Sequence, residues 1–352
     1  MDRFHSFVKV TSGKDEIYAK KQNNDFFKQA RMNSKPEKCI ICGKATTRLC
    51  NSHSVPKMIL KNIAENGKLM QANGLMGSNV VDIEKGVNNS GTFQFICQEC
   101  DGSWFRTYEN LDNLKAKEIT DKMLSEIALK NVLLLLSKRN VEREVIHKGS
   151  ELGVIIGAET AFETQNLDVR DYRNEMDLYL SIDEKSSNCF QVLFHNVLPY
   201  VTPIAVQTAL VIQKDLEGTV INDIYNYSPD VRIQNMHISV FPLEDTTIVI
   251  MFYHRRDKNY RRLLHQFNCI SDERKLAYIN YWIFKYTENY FFAPSVKKVI
   301  SDNPKLVQLS REYNELPNLG LVNPMIMNKY EPVKIDDIPN MLSPEYAVSK
   351  NR

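Results

Sequence analysis

The sequence has no long apolar run, no internal repeat and no low-complexity tract. Its longest aliphatic run, residues 132–136, is far shorter than the roughly 20 residues that a membrane-spanning helix needs. The first nine residues mix charges with no apolar stretch, so no secretory signal is expected. These absences predict a protein that does not span a membrane and that works in the cytoplasm, where its seven cysteines stay reduced.

Neither sign of charge dominates the chain. Its 352 residues include 45 Lys or Arg and 43 Asp or Glu, so the net charge of +2 predicts no particular partner. With 43% hydrophobic and 25% charged residues, the composition is that of a folded globular protein rather than a disordered chain. The charge is uneven, because residues 1–60 hold twelve Lys or Arg against five Asp or Glu, a net +7.

Changes in composition divide the chain into four segments. Residues 1–35 read as a basic arm with a short helix, and residues 36–112 carry the paired cysteines. Residues 113–310 form a larger body, and residues 311–352 hold five prolines, which favours an extended tail that lies over its own domain. A partner-binding arm is the alternative for this tail. Within the second segment, residues 66–89 are rich in Gly and Asn and predict turns rather than regular structure.

Hydrophobic periodicity in the body predicts a mixed α+β fold. Helical spacing over residues 112–138 indicates one long helix or two in tandem, and residues 272–292 read as a buried helix that ends before a proline. Thr202 and the proline after it predict the start of a helix that ends near Gly218, with a strand as the alternative. Residues 236–253 hold two β-rich runs joined by a short turn, which predicts a β-hairpin.

Four of the seven cysteines occur in two C-x2-C pairs: Cys39, Cys42, Cys97 and Cys100. In a reducing compartment, four thiolates at this spacing favour a tetrahedral zinc site. Such a site has no open coordination position, so its zinc stabilises the fold and does not catalyse. Four unrelated core cysteines are the alternative.

The order of these motifs resembles the HNH endonucleases of the treble-clef, or ββα-metal, group. The resemblance covers about residues 36–110. In that family a histidine follows the first cysteine pair, as His53 does here with Pro56 close behind, and the last metal ligand follows the second pair, as Asp101 does. The resemblance implies a zinc-stapled treble-clef module on an α+β body. It also implies hydrolysis of phosphodiester bonds in nucleic acid, with DNA favoured over RNA.

Carried over residue by residue, the resemblance makes His53 the general base that deprotonates a water molecule. Asp101 would hold a catalytic Mg²⁺ or Mn²⁺ ion, Asn89 would be the middle asparagine, and Glu109 could supply a further ligand. The sequence departs from the family at Ser52, where an Asp or His is common. Three alternatives stay open: His53 as a zinc ligand or a donor to the cysteine loops, Asp101 as a helix N-terminal carboxylate, and Glu109 as a solvated one.

Basic residues predict where nucleic acid would bind. The candidates are Lys44 and Lys57 in the second segment, and a cluster that follows the predicted hairpin: Arg255, Arg256, Arg261 and Arg262. A solvated helix face is the alternative for this cluster. Three aromatic residues after the second cysteine pair favour packing over base stacking: Trp104, Phe105 and Tyr108.

Two functions from different classes follow. The first is an HNH-like endonuclease, in a layout similar to that of bacterial restriction and phage-defence effectors. The second is a non-catalytic zinc module that binds nucleic acid or a protein partner, which Ser52 favours. A homo-oligomer is compatible with both. Residues 138–352 contain no Gly-rich phosphate loop, nucleophile elbow or paired-carboxylate motif, so a separate activity of the body has no motif behind it.

Overall fold

The structure is a computed structural model that describes residues 13–45, 48–72, 81–116, 118–153, 155, 157–312 and 332–348. It confirms the mixed α+β class. Its helices are α1 (Gly13–Asn33), α2 (Lys57–Leu60), α3 (Gln98–Trp104), α4 (Leu111–Lys115), α5 (Asp121–Glu151), α6 (Ala158–Leu180), α7 (Arg261–Asn268), α8 (Asp272–Tyr286), α9 (Lys297–Ser301) and α10 (Pro304–Glu312). Its strands are β1 (Ser52–His53), β2 (Lys68–Ala72), β3 (Val81–Gly86), β4 (Thr92–Phe93), β5 (Phe190–Leu198), β6 (Ile204–Leu210), β7 (Met236–Pro242), β8 (Thr247–His254) and β9 (Tyr290–Phe292).

Seven strands form one antiparallel sheet in the order β3-β2-β9-β6-β7-β8-β5, and β1 pairs with β4 in a separate two-stranded ribbon. The predicted hairpin is confirmed as β7 and β8, in which Val240 lies opposite Val249 and a tight turn joins the strands. Side chains alternate along these strands, so the sheet has two apolar faces. Ile238 and Val240 face one core, whereas Phe241 and Phe252 face the other.

Helices cover both faces of the sheet. The core on one face is built from α5, α6 and the cysteine-bearing segment, and α5 packs on β6 and β7. The core on the other face is built from α7, α8, α10 and residues 332–348. The two central strands β6 and β7 are therefore buried along their whole length.

The helix predicted from Thr202 to Gly218 is wrong, because residues 204–210 form β6. This strand pairs with β7 on one side and β9 on the other. Both of its faces are covered, so its sequence is mostly apolar, with Gln207 and Thr208 as the polar exceptions, and it does not alternate. Such a run cannot be told from a buried helix by its pattern. The alternative interpretation as a strand is confirmed.

The helix predicted over residues 272–292 ends six residues early. Helix α8 stops at Tyr286, where Thr287 adopts an extended backbone, and residues 290–292 form β9. These three aromatic residues have high β-propensity, and they fill the gap in the sheet between β2 and β6. Tertiary pairing thus converts the end of a helical pattern into a strand.

The helical prediction over residues 112–138 is confirmed in its tandem form. The Asn110 side chain accepts hydrogen bonds from the first backbone N–H groups of α4, and the Thr120 hydroxyl does so for α5. Ala116 between them is extended, which separates the two helices. Helix α5 continues well past the predicted end, to Glu151.

Residues 73–80 lie outside the described ranges, and the described part of the segment between the cysteine pairs is more regular than its composition predicts. Within residues 66–89, strands β2 and β3 form an antiparallel pair, and β2 also pairs with β9 of the main sheet. Asn66 and Gly67 have positive φ angles of 51° and 72°, so the turn-forming residues precede the strand rather than replace it. In the tail, residues 332–348 pack on the body and bury Met341 and Leu342, whereas residues 313–331 lie outside the described ranges.

A buried polar network joins the helical layer to the sheet. Tyr179 of α6 lies 2.9 Å from His237 Nε2, and Asn131 Nδ2 of α5 donates to His237 Nδ1 at 3.3 Å. His237 on β7 is inaccessible to solvent, and burial lowers its pKa to about 3. The imidazole is therefore neutral in the folded protein, with Nδ1 as acceptor and Nε2 as donor.

This burial predicts a pH-dependent stability. Because His237 is protonated more readily in the unfolded chain, with its ordinary pKa of 6.5, the stability that it contributes is lost as pH falls below that value. Relative to His237→Gln, the wild-type protein should lose about 2 kcal/mol of unfolding free energy between pH 7 and pH 5. Denaturant unfolding of both proteins at both pH values measures this difference. Equal losses would contradict a buried neutral imidazole.

Candidate metal centre and candidate active site

The four paired cysteines come together at one point. The Sγ atoms of Cys39, Cys42, Cys97 and Cys100 all lie within 4.8 Å of one another, and those of Cys42 and Cys97 are 3.9 Å apart. Tetrahedral zinc with Zn–S bonds of about 2.3 Å requires sulfur atoms about 3.8 Å apart. The cluster is thus close enough to hold one metal ion, and its all-thiolate donor set fits structural zinc.

Backbone hydrogen bonds shape both halves of this cysteine cluster. Gly43, with φ of 68°, closes the first loop by donating its N–H to the Cys39 carbonyl at 2.8 Å. In the second half, Cys97 precedes the first turn of α3, and its carbonyl accepts from Asp101 N at 3.0 Å. Burial opposes the thiolate of Cys39, but N–H groups that include those of Cys42 and Cys97 outweigh it and lower its pKa to about 7. At Cys39 the loop therefore favours the charged form that binds metal, whereas burial and the neighbouring sulfur atoms raise the pKa of the Cys100 thiol.

The ribbon of β1 and β4 runs between the two cysteine pairs and is followed directly by α3. His53 lies opposite Thr92 in this ribbon. At its end, Ser54 N donates to the Gly91 carbonyl at 2.9 Å, and the Ser54 hydroxyl donates to Asn289 Oδ1 at 3.0 Å. Asn289 lies just before β9, so the ribbon is fixed to the main sheet.

His53 is half-buried, and its ring is held by a backbone carbonyl. Nε2 lies 3.1 Å from the carbonyl oxygen of Val87, in the 3-10 turn that also contains the exposed Asn89. A carbonyl only accepts, so Nε2 carries the proton and Nδ1 is the basic nitrogen. Burial lowers the pKa of His53, and the charges of Lys130 and Lys57 act in the same direction. The imidazole is therefore neutral at pH 7, and it is not one of the four residues of the cysteine cluster.

Asp101 and Glu109 are brought together by a lysine that the sequence analysis did not single out. Lys130 of α5 contacts Glu109 Oε1 directly, and its Nζ lies 4.0 Å from Asp101 Oδ1. Its side chain is only 2% exposed and covers the ring of Phe105 at 4.1 Å. The sequence carries one signal for Lys130, because it is the single charged residue within the most apolar part of a helix.

Further donors complete the bonding of these carboxylates, which we call the carboxylate pair. The Ser52 hydroxyl donates to Asp101 Oδ1 at 2.5 Å, and the Cys50 thiol donates to Oδ2 at 3.5 Å. The Tyr108 hydroxyl donates to Glu109 at 3.2 Å. Both Phe105 and Tyr108 are buried, so these aromatic rings pack in the core. The sequence favours this packing over base stacking.

The arrangement does not fit the catalytic divalent cation that the HNH resemblance implies. Mg²⁺ and Mn²⁺ bind oxygen ligands that offer free lone pairs and negative charge. Here Ser52 uses its hydroxyl to donate to Asp101, and the carboxylate pair already contacts the ammonium of Lys130. A second cation at this place would meet a positive charge within a few ångströms.

The candidate nucleic-acid residues fall into two groups. Lys57 and Arg261 are exposed, as is Arg255, although Arg255 Nε also donates to the Phe190 carbonyl at 3.0 Å. The others are engaged with carboxylates: Lys44 with Glu99, Arg256 with Glu175, and Arg262 with Asp215 and Glu217. Of this set, Lys57 is the cation whose charge acts on His53.

Comparisons with known proteins give no family to which the chain can be assigned. No protein-family model matches it, and neither a curated protein nor a solved structure is significantly similar to it. None of the helices within the described ranges combines the length and the apolar character that crossing a bilayer requires. The conclusions on function therefore rest on the site itself.

Proposed function

We propose that the chain is an HNH-like endonuclease that hydrolyses phosphodiester bonds in nucleic acid, with DNA favoured as the substrate. The observation that carries this proposal is a two-stranded ribbon followed by a helix, with a cysteine cluster at their base and His53 on the ribbon. This order of elements supports assignment of the segment as a treble clef, with zinc as its structural metal. A role in phage defence or restriction stays a prediction from the layout alone.

In the proposed reaction His53 is the general base. Nδ1 takes a proton from a water molecule while the water oxygen forms a bond to phosphorus. The ester P–O bond breaks, and the leaving oxygen takes a proton from solvent. Because Nε2 is hydrogen-bonded to the Val87 carbonyl, the tautomer needed for this step is already selected. Lys57, exposed at the start of α2, supplies positive charge toward the phosphate.

A non-catalytic zinc module that binds nucleic acid or protein is the second candidate. The observation that favours it is the neutralised carboxylate pair, because Asp101 and Glu109 are engaged by Lys130 instead of presenting free oxygen ligands. Under this alternative, the ribbon and α3 serve as a rigid platform, and His53 is a packing residue with a satisfied ring nitrogen.

Cleavage assays with a histidine variant separate the two candidates. The purified protein should cut plasmid DNA, and RNA should be tested beside it, with and without Mg²⁺ or Mn²⁺. His53→Ala should lower the rate by about 100-fold, since a general base typically contributes 10²–10⁴. Metal content and melting temperature should stay at wild-type values, which shows that the module is intact.

His265→Ala is the matched control, because His265 is an exposed histidine on α7. It should cut at the wild-type rate. Absence of cleavage under every metal condition, or equal rates for His53→Ala and wild type, would contradict the nuclease and favour the binding module. Retention of nucleic acid by the inactive protein in a gel-shift assay would then identify the ligand.

A further inference from the structure

Lys130 is a buried cation at the meeting point of the cysteine-bearing segment and the body. It projects from α5 and reaches Asp101 at the first turn of α3 and Glu109 beyond that helix. A buried ammonium is costly unless opposite charges compensate for it, and two carboxylates do so here. These carboxylates are partly exposed, 26% for Asp101 and 32% for Glu109, whereas the ammonium is 2% exposed. The ammonium of Lys130 therefore lies on the interior side of the two carboxylates.

We propose that the ammonium of Lys130 is a built-in cation that takes the place of an exchangeable divalent ion at the carboxylate pair. The positive charge that a divalent ion would bring to the carboxylate oxygens is already supplied by the Lys130 side chain. It follows that the pair does not bind Mg²⁺ or Mn²⁺. It follows also, if the proposed nuclease function holds, that hydrolysis at His53 needs no added divalent metal.

Lys130 also acts as a positioning residue for the ribbon. Its ammonium holds Asp101, and Asp101 accepts the hydroxyl of Ser52, the residue directly before His53 in β1. This path joins α5 of the body to α3 and then to β1. Ser52 is fully buried and Asp101 is partly exposed, so the Ser52 end of this connection is shielded from solvent. Loss of the ammonium would therefore leave Asp101 without its counter-charge. It would also remove the contact that orients the ribbon through Asp101 and Ser52.

Manganese binding tests the first part of the proposal without any need for activity. Wild-type protein loaded with its cysteine-bound metal should bind no Mn²⁺ at the carboxylate pair in an electron paramagnetic resonance titration. Lys130→Met removes the ammonium and keeps an apolar side chain of similar length over Phe105, so Mn²⁺ affinity should rise by at least about tenfold. Adding Asp101→Asn to this variant should abolish the gain. Lys130→Arg, which keeps the charge, should bind as weakly as the wild type.

Lys122→Met is the matched control on the same helix. Lys122 also pairs with a buried carboxylate, Glu126 at 3.8 Å, and also lies over an aromatic ring, that of Trp104 at 5.1 Å. Its replacement should leave Mn²⁺ affinity unchanged, because it does not reach Asp101. If Lys130→Met does not fold, comparison of wild type with Asp101→Asn still decides. Mn²⁺ binding by the wild type that Asp101→Asn removes would overturn the proposal.

The activity arm uses cleavage in buffer freed of divalent ions, with the content of cysteine-bound metal measured in the same sample. Wild-type cleavage should change by less than about twofold when Mg²⁺ is added. Lys130→Arg should retain this behaviour, whereas Lys130→Met should become dependent on added metal. A strict Mg²⁺ requirement of the wild type would overturn the proposal. Absence of any cleavage would contradict the proposed nuclease, while the Mn²⁺ titration would still decide the role of Lys130.

Discussion

Replacing Cys100 by serine should remove the bound metal ion and unfold the cysteine-bearing segment. Cys100 is buried against the core, and its sulfur is one of the four that lie close enough together to hold a metal ion. Zinc binding by small structural sites supplies about 10 kcal/mol or more, and in such sites binding and folding are coupled. We therefore expect Cys100→Ser to lose several kcal/mol of unfolding free energy. For comparison, a whole structural zinc site supplies about 10 kcal/mol.

Elemental analysis and thermal unfolding measure this outcome together. The wild-type protein should contain one zinc ion per chain, and a strong chelator should lower its melting temperature. Cys269→Ser is the control, because Cys269 is an exposed free thiol that is not part of the cluster. It should keep both the metal and the wild-type melting temperature. Full metal content in Cys100→Ser would show that the four cysteines do not form the site.

The second large effect is expected for Gly91→Val at the end of the ribbon. Gly91 has a φ of 61°, which favours glycine, and a Cβ atom there would lie 2.3 Å from Phe291 Cζ and 2.7 Å from Ser54 Oγ. Phe291 is a buried residue of β9 in the middle of the sheet. Because neither the backbone nor this neighbour can yield, we expect a loss of about 3 kcal/mol or more in unfolding free energy.

Gly102→Ala is the control with the opposite sign. Gly102 lies within α3, and no heavy atom lies within 4 Å of the position that its Cβ would take. Alanine in a helix interior is favoured over glycine by about 0.5–1 kcal/mol, so this variant should be slightly more stable than the wild type. Denaturant titrations of both variants give the two free energies. Wild-type stability of Gly91→Val would contradict the close approach of the ribbon to β9.

Local patterns predicted those elements whose environment agrees with their sequence. The hairpin of β7 and β8 and the tandem helices α4 and α5 carry periodic residues and turn or capping signals of their own. Strand β6 was predicted as a helix because both of its faces are covered, which removes the alternation that identifies a strand. Strand β9 depends on pairing with β2 and β6, and no local signal encodes such a partner.

The sequence predicted the part of the candidate site that is defined by the spacing of residues along the chain. Two C-x2-C pairs predicted a cysteine cluster, and the four sulfur atoms are together in the fold. Lys130 was not predicted, because its contact with Asp101 of α3 arises only in the folded chain, and a single charge in an apolar stretch of helix does not identify its partner. The roles of His53 and Asn89 in catalysis stay predictions.

The pairing of β2 with β9 has a consequence for how the protein unfolds. The chain between the cysteine pairs contributes two strands to the large sheet, so this chain is held to the sheet by backbone hydrogen bonds. A fragment cut out around the cysteines would expose the unpaired edge of β2, and the remainder would expose that of β9, both prone to self-association. Metal release and melting of this edge should therefore occur as a single cooperative transition, and the two parts are best studied within one intact chain.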